Sequence, residues 1–224
     1  FSGVIALVAC AVVLIVIPSV SSIQQAVVSR RPPSGFWRVP VAAFFLLIGS
    51  QPVYSWSISY LVEELEIGKF VAGSVIGTAS IIGAINMVLL GRMSDRLGLS
   101  SRRVFLMGLT SALSISQILV ARAAYFPMVV VVIAITVAVV SQLAAIGTMH
   151  ALIIDLCPGS AGRGSGLTMT GYYFGALAAP VSFGFLADQF GYSWAWLYCA
   201  VCAAISLVFF WSVKWIRRET VDAG

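Results

Sequence analysis

Few side chains in this sequence could do chemistry, and most of those are neutral. Gln51, Tyr54 and Ser55 follow the i, i+3, i+4 spacing that places residues on one helix face. Ser141 and Gln142 sit near the middle of an apolar stretch, as do Tyr172 and Tyr173, and Asn86 is the only asparagine. Amides, phenols and hydroxyls in apolar surroundings offer hydrogen bonds and aromatic faces rather than bond cleavage. A buried amide is costly unless satisfied, so these eight residues are candidates to line a cavity for a small solute. Serine is the weakest candidate, since a helical hydroxyl can bond its own backbone. His150, the only histidine, can relay a proton or serve structurally. One histidine and no carboxylate pair inside an apolar stretch leave neither a metal site nor a catalytic dyad, so an enzyme is not expected. Cys199 and Cys202 form a C-x-x-C within an apolar block, with no polar partner nearby, and read as packing residues.

The charged residues are concentrated differently. Gly91-Arg92-Met93-Ser94-Asp95-Arg96-Leu97-Gly98 follows some twenty residues without a charge, and Arg102 and Arg103 come soon after. Gly91 and Gly98 suit a tight turn, where a side chain would block close approach or positive φ. Asp95 can sit at the positive N-terminal end of a neighbouring helix or cap a helix of its own. No Asp, Glu, Lys or Arg falls in the central part of the apolar blocks. A charge there costs about 2.5–3.5 kcal/mol on insertion scales, so a proton carrier or counter-ion would stand out.

The elements that must position these residues follow from composition. Of the 224 residues, 60% are hydrophobic and 9% charged, too few charges to cover a soluble surface. The apolar residues fall in seven blocks: 1–17, 40–61, 70–90, 104–121, 126–153, 165–187 and 193–213. Blocks near 20 residues match the hydrocarbon thickness at about 1.5 Å per helical residue, and they lack the alternation of barrel strands. The fold class is therefore an all-α polytopic membrane bundle. Phe1 opens the first block without an initiator Met or basic leader, which argues against a signal peptide. It reads as a cut within or just before a helix of a longer chain.

Position accounts for the net charge of +5 better than nucleic-acid binding does. With residue 1 outside, Arg30, Arg31, Arg38, Arg92, Arg96, Arg102, Arg103, Arg163, Lys214, Arg217 and Arg218 are cytoplasmic, leaving Lys69 and Arg122 outside. This positive-inside pattern orients the chain with a cytoplasmic C-terminus in the cell membrane. Glu63, Glu64 and Glu66 fall on an outer loop.

The charged motif has an echo. Gly184-Phe-Leu-Ala-Asp188-Gln-Phe-Gly191 repeats its G-x-x-x-D-x-x-G at an offset of 93 residues, on the opposite membrane face, and Gln51 and Gln142 are 91 apart. Three helices at 40–121 followed by three of opposite sense at 126–213 make an inverted 3+3 repeat, a common transporter plan. The G-x-x-x-D-R-x-G motif with the basic pair Arg102-Arg103 resembles the loop motif of the major facilitator superfamily. The stretch Pro158 to Gly166, with Arg163, is similar to that family's connector between helices ten and eleven. One departure is Leu99-Ser100-Ser101, where the family has a basic residue after the second glycine.

The resemblance implies that 1–17 is the last helix of an N-terminal half, 18–39 a central cytoplasmic linker, 40–213 the six-helix C-terminal half and 214–224 a tail. It implies a secondary transporter for a small organic solute, with the rest of the same protein and the lipid bilayer as partners and no bound cofactor or metal. Coupling to a proton gradient stays open, with any titrating carboxylate expected in the other half. Asp95 is then similar to a latch held in the outward-open state, and Arg96, Arg102, Arg103 and Arg163 belong to the same cytoplasmic motif set. The alternatives are a seven-helix receptor, or a family member kept as a sensor without transport.

Overall fold

The computed structural model describes residues 32, 35–97, 99–157 and 160–213, with backbone only at 95, 97, 99 and 100. The block at 1–17, most of the linker and the tail at 214–224 lie outside the described residues. Seven α-helices result: α1 (Arg38–Ser55), α2 (Ser57–Glu63), α3 (Lys69–Leu97), α4 (Leu99–Ala121), α5 (Met128–Leu156), α6 (Ala161–Phe190) and α7 (Tyr192–Ser212). A single 3-10 turn, Ala123–Tyr125, links α4 to α5. Among the described residues, four helices are long and apolar enough to cross a membrane: α3, α4, α5 and α7. The α1–α2 pair makes a fifth if taken as one span bent by 48°. The sixth block, 165–187, forms the 30-residue α6, but its glycines, threonines and tyrosines keep it less apolar than the others.

Hydropathy marks the hydrocarbon-spanning part of each helix, and the helices run past it. Residues 91–97 were expected to turn at Gly91; instead α3 continues through Leu97. A helical glycine costs only about 0.5–1 kcal/mol relative to alanine, and the Ser94 hydroxyl donates to the Gly91 carbonyl at 3.0 Å within the helix. Gly98 lies outside the described residues. In the second copy, Gly191 has φ +86° and separates α6 from α7, while a Cβ on Gly184 would come within 2.9 Å of Trp56.

Packing is reciprocal between the two sets of three. The first span, α1, lies against α6 and α7; the fourth, α5, lies against α3 and α4; and α4 and α7 pack on each other. Small residues set these distances. A Cβ on Gly171 would collide with the Pro40 carbonyl group, and one on Gly175 with that of Phe44, both in α1. Across the other pair, Gly83 abuts Leu143 of α5 and Gly147 abuts Met87 of α3. The absence of side chains thus brings backbones together where lipid supplies no hydrophobic drive between helices. Gly73 and Gly77, with the same spacing, meet nothing within 4 Å among the described residues.

Side chains staple α1 to its neighbours. Pro52 has no N–H to give the Ile48 carbonyl, and the Cys199 thiol approaches that carbonyl at 3.8 Å. One residue on, the Gly49 carbonyl accepts from Gln117 Nε2 of α4. The Ser206 hydroxyl of α7 donates to the Ala42 carbonyl at 2.8 Å. Despite Pro52, the helix continues to Ser55 and bends at Trp56. Beyond the bend, Tyr60 donates to the Val120 carbonyl at 3.2 Å, tying α2 to α4.

Candidate functional site

The neutral candidates divide by burial. On α1, Gln51 and Tyr54 are half-buried and Ser55 is exposed. Ser55 donates to the Gln51 carbonyl at 3.3 Å, so its hydroxyl is engaged by its own helix. Tyr54 lies beside Ser80 of α3, whose hydroxyl donates to the Ile76 carbonyl at 2.8 Å. Asn86, also on α3, is half-buried. Ser141 and Gln142 are 3% and 2% exposed, inside the bundle, because α5 is covered by both α3 and α4. The Gln142 carbonyl oxygen is buried without a hydrogen-bond partner among the described residues.

On α6, Tyr172 is half-buried and turned toward α5, with its ring 6.3 Å from that of His150. Tyr173 is exposed, and its ring meets Tyr172 edge-on at 5.3 Å. His150 Nδ1 lies 2.8 Å from the Ile146 carbonyl one turn back, so one ring nitrogen serves its own helix. The structure therefore gathers Tyr172, Tyr173 and His150 at an α5–α6 junction, and Tyr54 and Ser80 at an α1–α3 junction.

The charged candidates collect at one end of the bundle. Arg102, near the start of α4, meets Asp155 near the end of α5 at 2.6 Å, with side-chain exposures of 14% and 33%. The same guanidinium reaches the Ala151 carbonyl at 3.3 Å. Arg103 donates to the Trp211 carbonyl at 3.1 Å and lies 5.3 Å from the Trp211 ring centre, which ties α4 to α7. Arg38 donates to the Ser212 carbonyl, tying α1 to the same end of α7. Arg96 is in the last turn of α3, where a cation complements the helix dipole. Arg163 is in the first turn of α6. The side chain of Asp95 lies outside the described residues. The opposite end carries the acidic loop, where Tyr192 donates to Glu63 at 2.7 Å.

Two residues of consequence were not singled out from the sequence. Gln117 is fully buried in α4, with its amide nitrogen on Gly49 and its carbonyl oxygen without a partner among the described residues. The signal was present, for a mid-block amide is as costly there as at Gln51. Asp155 fell just outside the 126–153 block and read as loop; α5 extends to Leu156 and makes it a helical partner for Arg102.

Long apolar helices, small-residue contacts and charges confined to the ends define a multi-pass α-helical membrane protein. The sequence profile of the Major Facilitator Superfamily matches residues 1–180, and the chain belongs to that family of transporters. An uncharacterized MFS-type transporter of Mycobacterium tuberculosis is 28% identical over 193 residues, covering 84% of this chain and 42% of the relative. The chain thus spans less than half the length of that relative. Family membership sets aside the receptor reading and places the chain outside the enzymes.

Proposed function

We propose that this chain forms the C-terminal half of a secondary active transporter, which moves a small organic solute across the cell membrane by alternating access. The observation that carries this reading is the reciprocal packing. Each leading span lies on the second and third spans of the other set, as an inverted 3+3 repeat requires. In this reading 1–17 ends the N-terminal half, 18–39 links the halves and 40–213 is the six-helix unit. The basic end is cytoplasmic, together with the C-terminus.

The solute would meet Gln51, Tyr54, Ser55, Asn86, Tyr172 and Tyr173 on the wall, with the buried Ser141 and Gln142 behind them. Neutral amides and phenols suit an amphipathic drug, a sugar or one end of an organic anion. At the cytoplasmic end, Asp95 with Arg96 acts as a latch whose contact differs between the two access states and so biases their equilibrium. Arg102 and Arg103 hold the start of α4 in place beside it. Any proton-coupling carboxylate would be in the other half.

The test is solute flux into proteoliposomes by the full-length protein, with and without a pH gradient. Absence of flux across sugars, organic anions and amphipathic cations would favour a sensor and refute the transporter reading. Asp95→Asn should raise the labelling of cytoplasmic-side cysteines; unchanged labelling would remove the latch.

A further inference from the structure

The one imidazole of the chain stands at a thin seam between helices. His150 is half-buried on α5, one residue before the carbonyl that accepts from Arg102 at the basic end of the bundle. Its ring faces Tyr172 of α6, edge-on at 6.3 Å. Helix α5 packs mainly on α3 and α4, and α6 mainly on α1, so the two helices touch each other only lightly. His150 Nδ1 lies 2.8 Å from the Ile146 carbonyl. A carbonyl only accepts, so Nδ1 holds a hydrogen and Nε2 keeps the lone pair of the neutral ring. Nε2 meets no hydrogen-bond partner among the described residues.

We infer that His150 Nε2 is a proton-binding site, and that the bound proton favours opening of the α5–α6 seam. The surroundings give the new charge no counter-ion. Among the described residues Asp155 is the only carboxylate at this end of the bundle. It lies about 140° around α5 from His150 and is held by Arg102 of α4 at 2.6 Å. Arg103 of α4 is turned to Trp211 of α7. The other titratable and charged groups on the packed elements are Tyr172, Tyr173 and Arg163 of α6, Arg92 and Arg96 of α3, Arg38 and Tyr54 of α1, and Cys157 beside α5. They are phenols, a thiol and cations, none of which neutralises an imidazolium. A charge so placed is stabilised by water rather than by protein, and the lightly packed seam is where water can reach it. Acid therefore favours the arrangement that hydrates the ring, and the neutral ring favours the closed seam. The inference needs only the multi-pass fold and holds whether or not a solute is carried.

Two measurements on the full-length protein test this. Nitrogen-15 NMR of histidine-labelled protein, with the His150 signal assigned by its loss in His150→Asn or His150→Gln, should show the Nδ1–H form of the neutral ring and protonation of Nε2 on acidification. Spin labels at Ile154 of α5 and Leu167 of α6, which are 58% and 48% exposed, report the width of the seam. Between about pH 8 and about pH 5, the span over which imidazole changes charge, the ratio of long to short separations should rise about fivefold or more, the lower end of ordinary coupling. Asn at this position keeps an N–H for the Ile146 carbonyl and cannot titrate. His150→Asn should therefore melt like the wild type and lose the pH response, which a purely structural histidine would leave in place. His150→Gln, equally unable to titrate, should lose it too. A neutral ring protonated at Nε2, a wild-type separation independent of pH, or a pH response retained in either variant overturns the site.

Discussion

Gly49 is the tightest test of how this bundle is held. A Cβ there would lie 2.8 Å from the Cys199 carbonyl oxygen and 2.9 Å from the Ala203 amide nitrogen, against 3.4–4 Å for ordinary contact. Both opposing atoms are backbone, so no rotamer change relieves the clash, and α7 must retreat by about 0.6 Å, the difference between 2.8 and 3.4 Å. Helix α1 cannot give way instead, because Gly171 and Gly175 already bring α6 against the Pro40 and Phe44 carbonyls. Retreat of α7 also loosens the Cys199 thiol from the Ile48 carbonyl left open by Pro52. Overpacking of this kind costs about 1–3 kcal/mol, offset by about 0.4–1 kcal/mol from the stiffer unfolded chain. Gly49→Ala should therefore destabilise by roughly 1–2 kcal/mol, a fall of several degrees in the melting temperature of the full-length protein in detergent. Gly108→Ala is the matched control, since its Cβ meets nothing within 4 Å. It should leave the melting temperature unchanged or raise it slightly. If both variants melt together at or above the wild type, backbone contact through Gly49 does not set the α1–α7 distance.

Arg102→Gln and Asp155→Asn should each lower the melting temperature, and the double variant should lose less than their sum, as the coupling of a partly buried pair requires. Strict additivity would deny the 2.6 Å contact any energetic role. Gln117→Glu places a carboxylate against the Gly49 carbonyl and should cost several kcal/mol; Gln117→Leu, which also removes the unpartnered oxygen, should cost about 1 kcal/mol or less. Equal melting of the two would refute burial of the amide. The Cys157 thiol is buried, and burial raises its pKa, only partly offset by its hydrogen bond with Ser160. Less thiolate is then present near neutral pH, so maleimide should label Cys157, as the sole cysteine, more slowly than a cysteine placed at Gly162, and the gap should narrow as pH rises. Equal rates at pH 7 would contradict the burial.

The centres of the spans were legible because apolar runs have no other use at this length. Their ends were not. The helix continues wherever each amide still finds its carbonyl, which is why 70–90 became Lys69–Leu97 and Asp155 moved from loop to helix. Pro52 lies within α1 without ending it, and the bend falls at Trp56, where Phe183 of α6 packs on the indole at 5.5 Å. The spacing of glycines puts small residues on one stripe of a helix and leaves the neighbour undetermined. Gly171 and Gly175 meet α1, while Gly73 and Gly77 meet nothing within 4 Å among the described residues, because spacing fixes a helix face and not what stands opposite it. Gln117 was missed for a related reason. Its neighbours in sequence are apolar, and only tertiary packing brings Gly49 to it.

The stripe of Gly73 and Gly77 on α3 meets no neighbour among the described residues. Only 17% of the most apolar stretch of α3 is buried, against 50% for α5. An acyl chain is fluid and fills around a leucine as well as around a glycine, so a lipid-facing helix gains nothing from Gly73 and Gly77. A second helix does gain, because its backbone can then approach closely. Under the half-transporter reading, the α3 stripe is where a helix of the other half would slide, and a bulky side chain at Gly77 should impair flux more than stability.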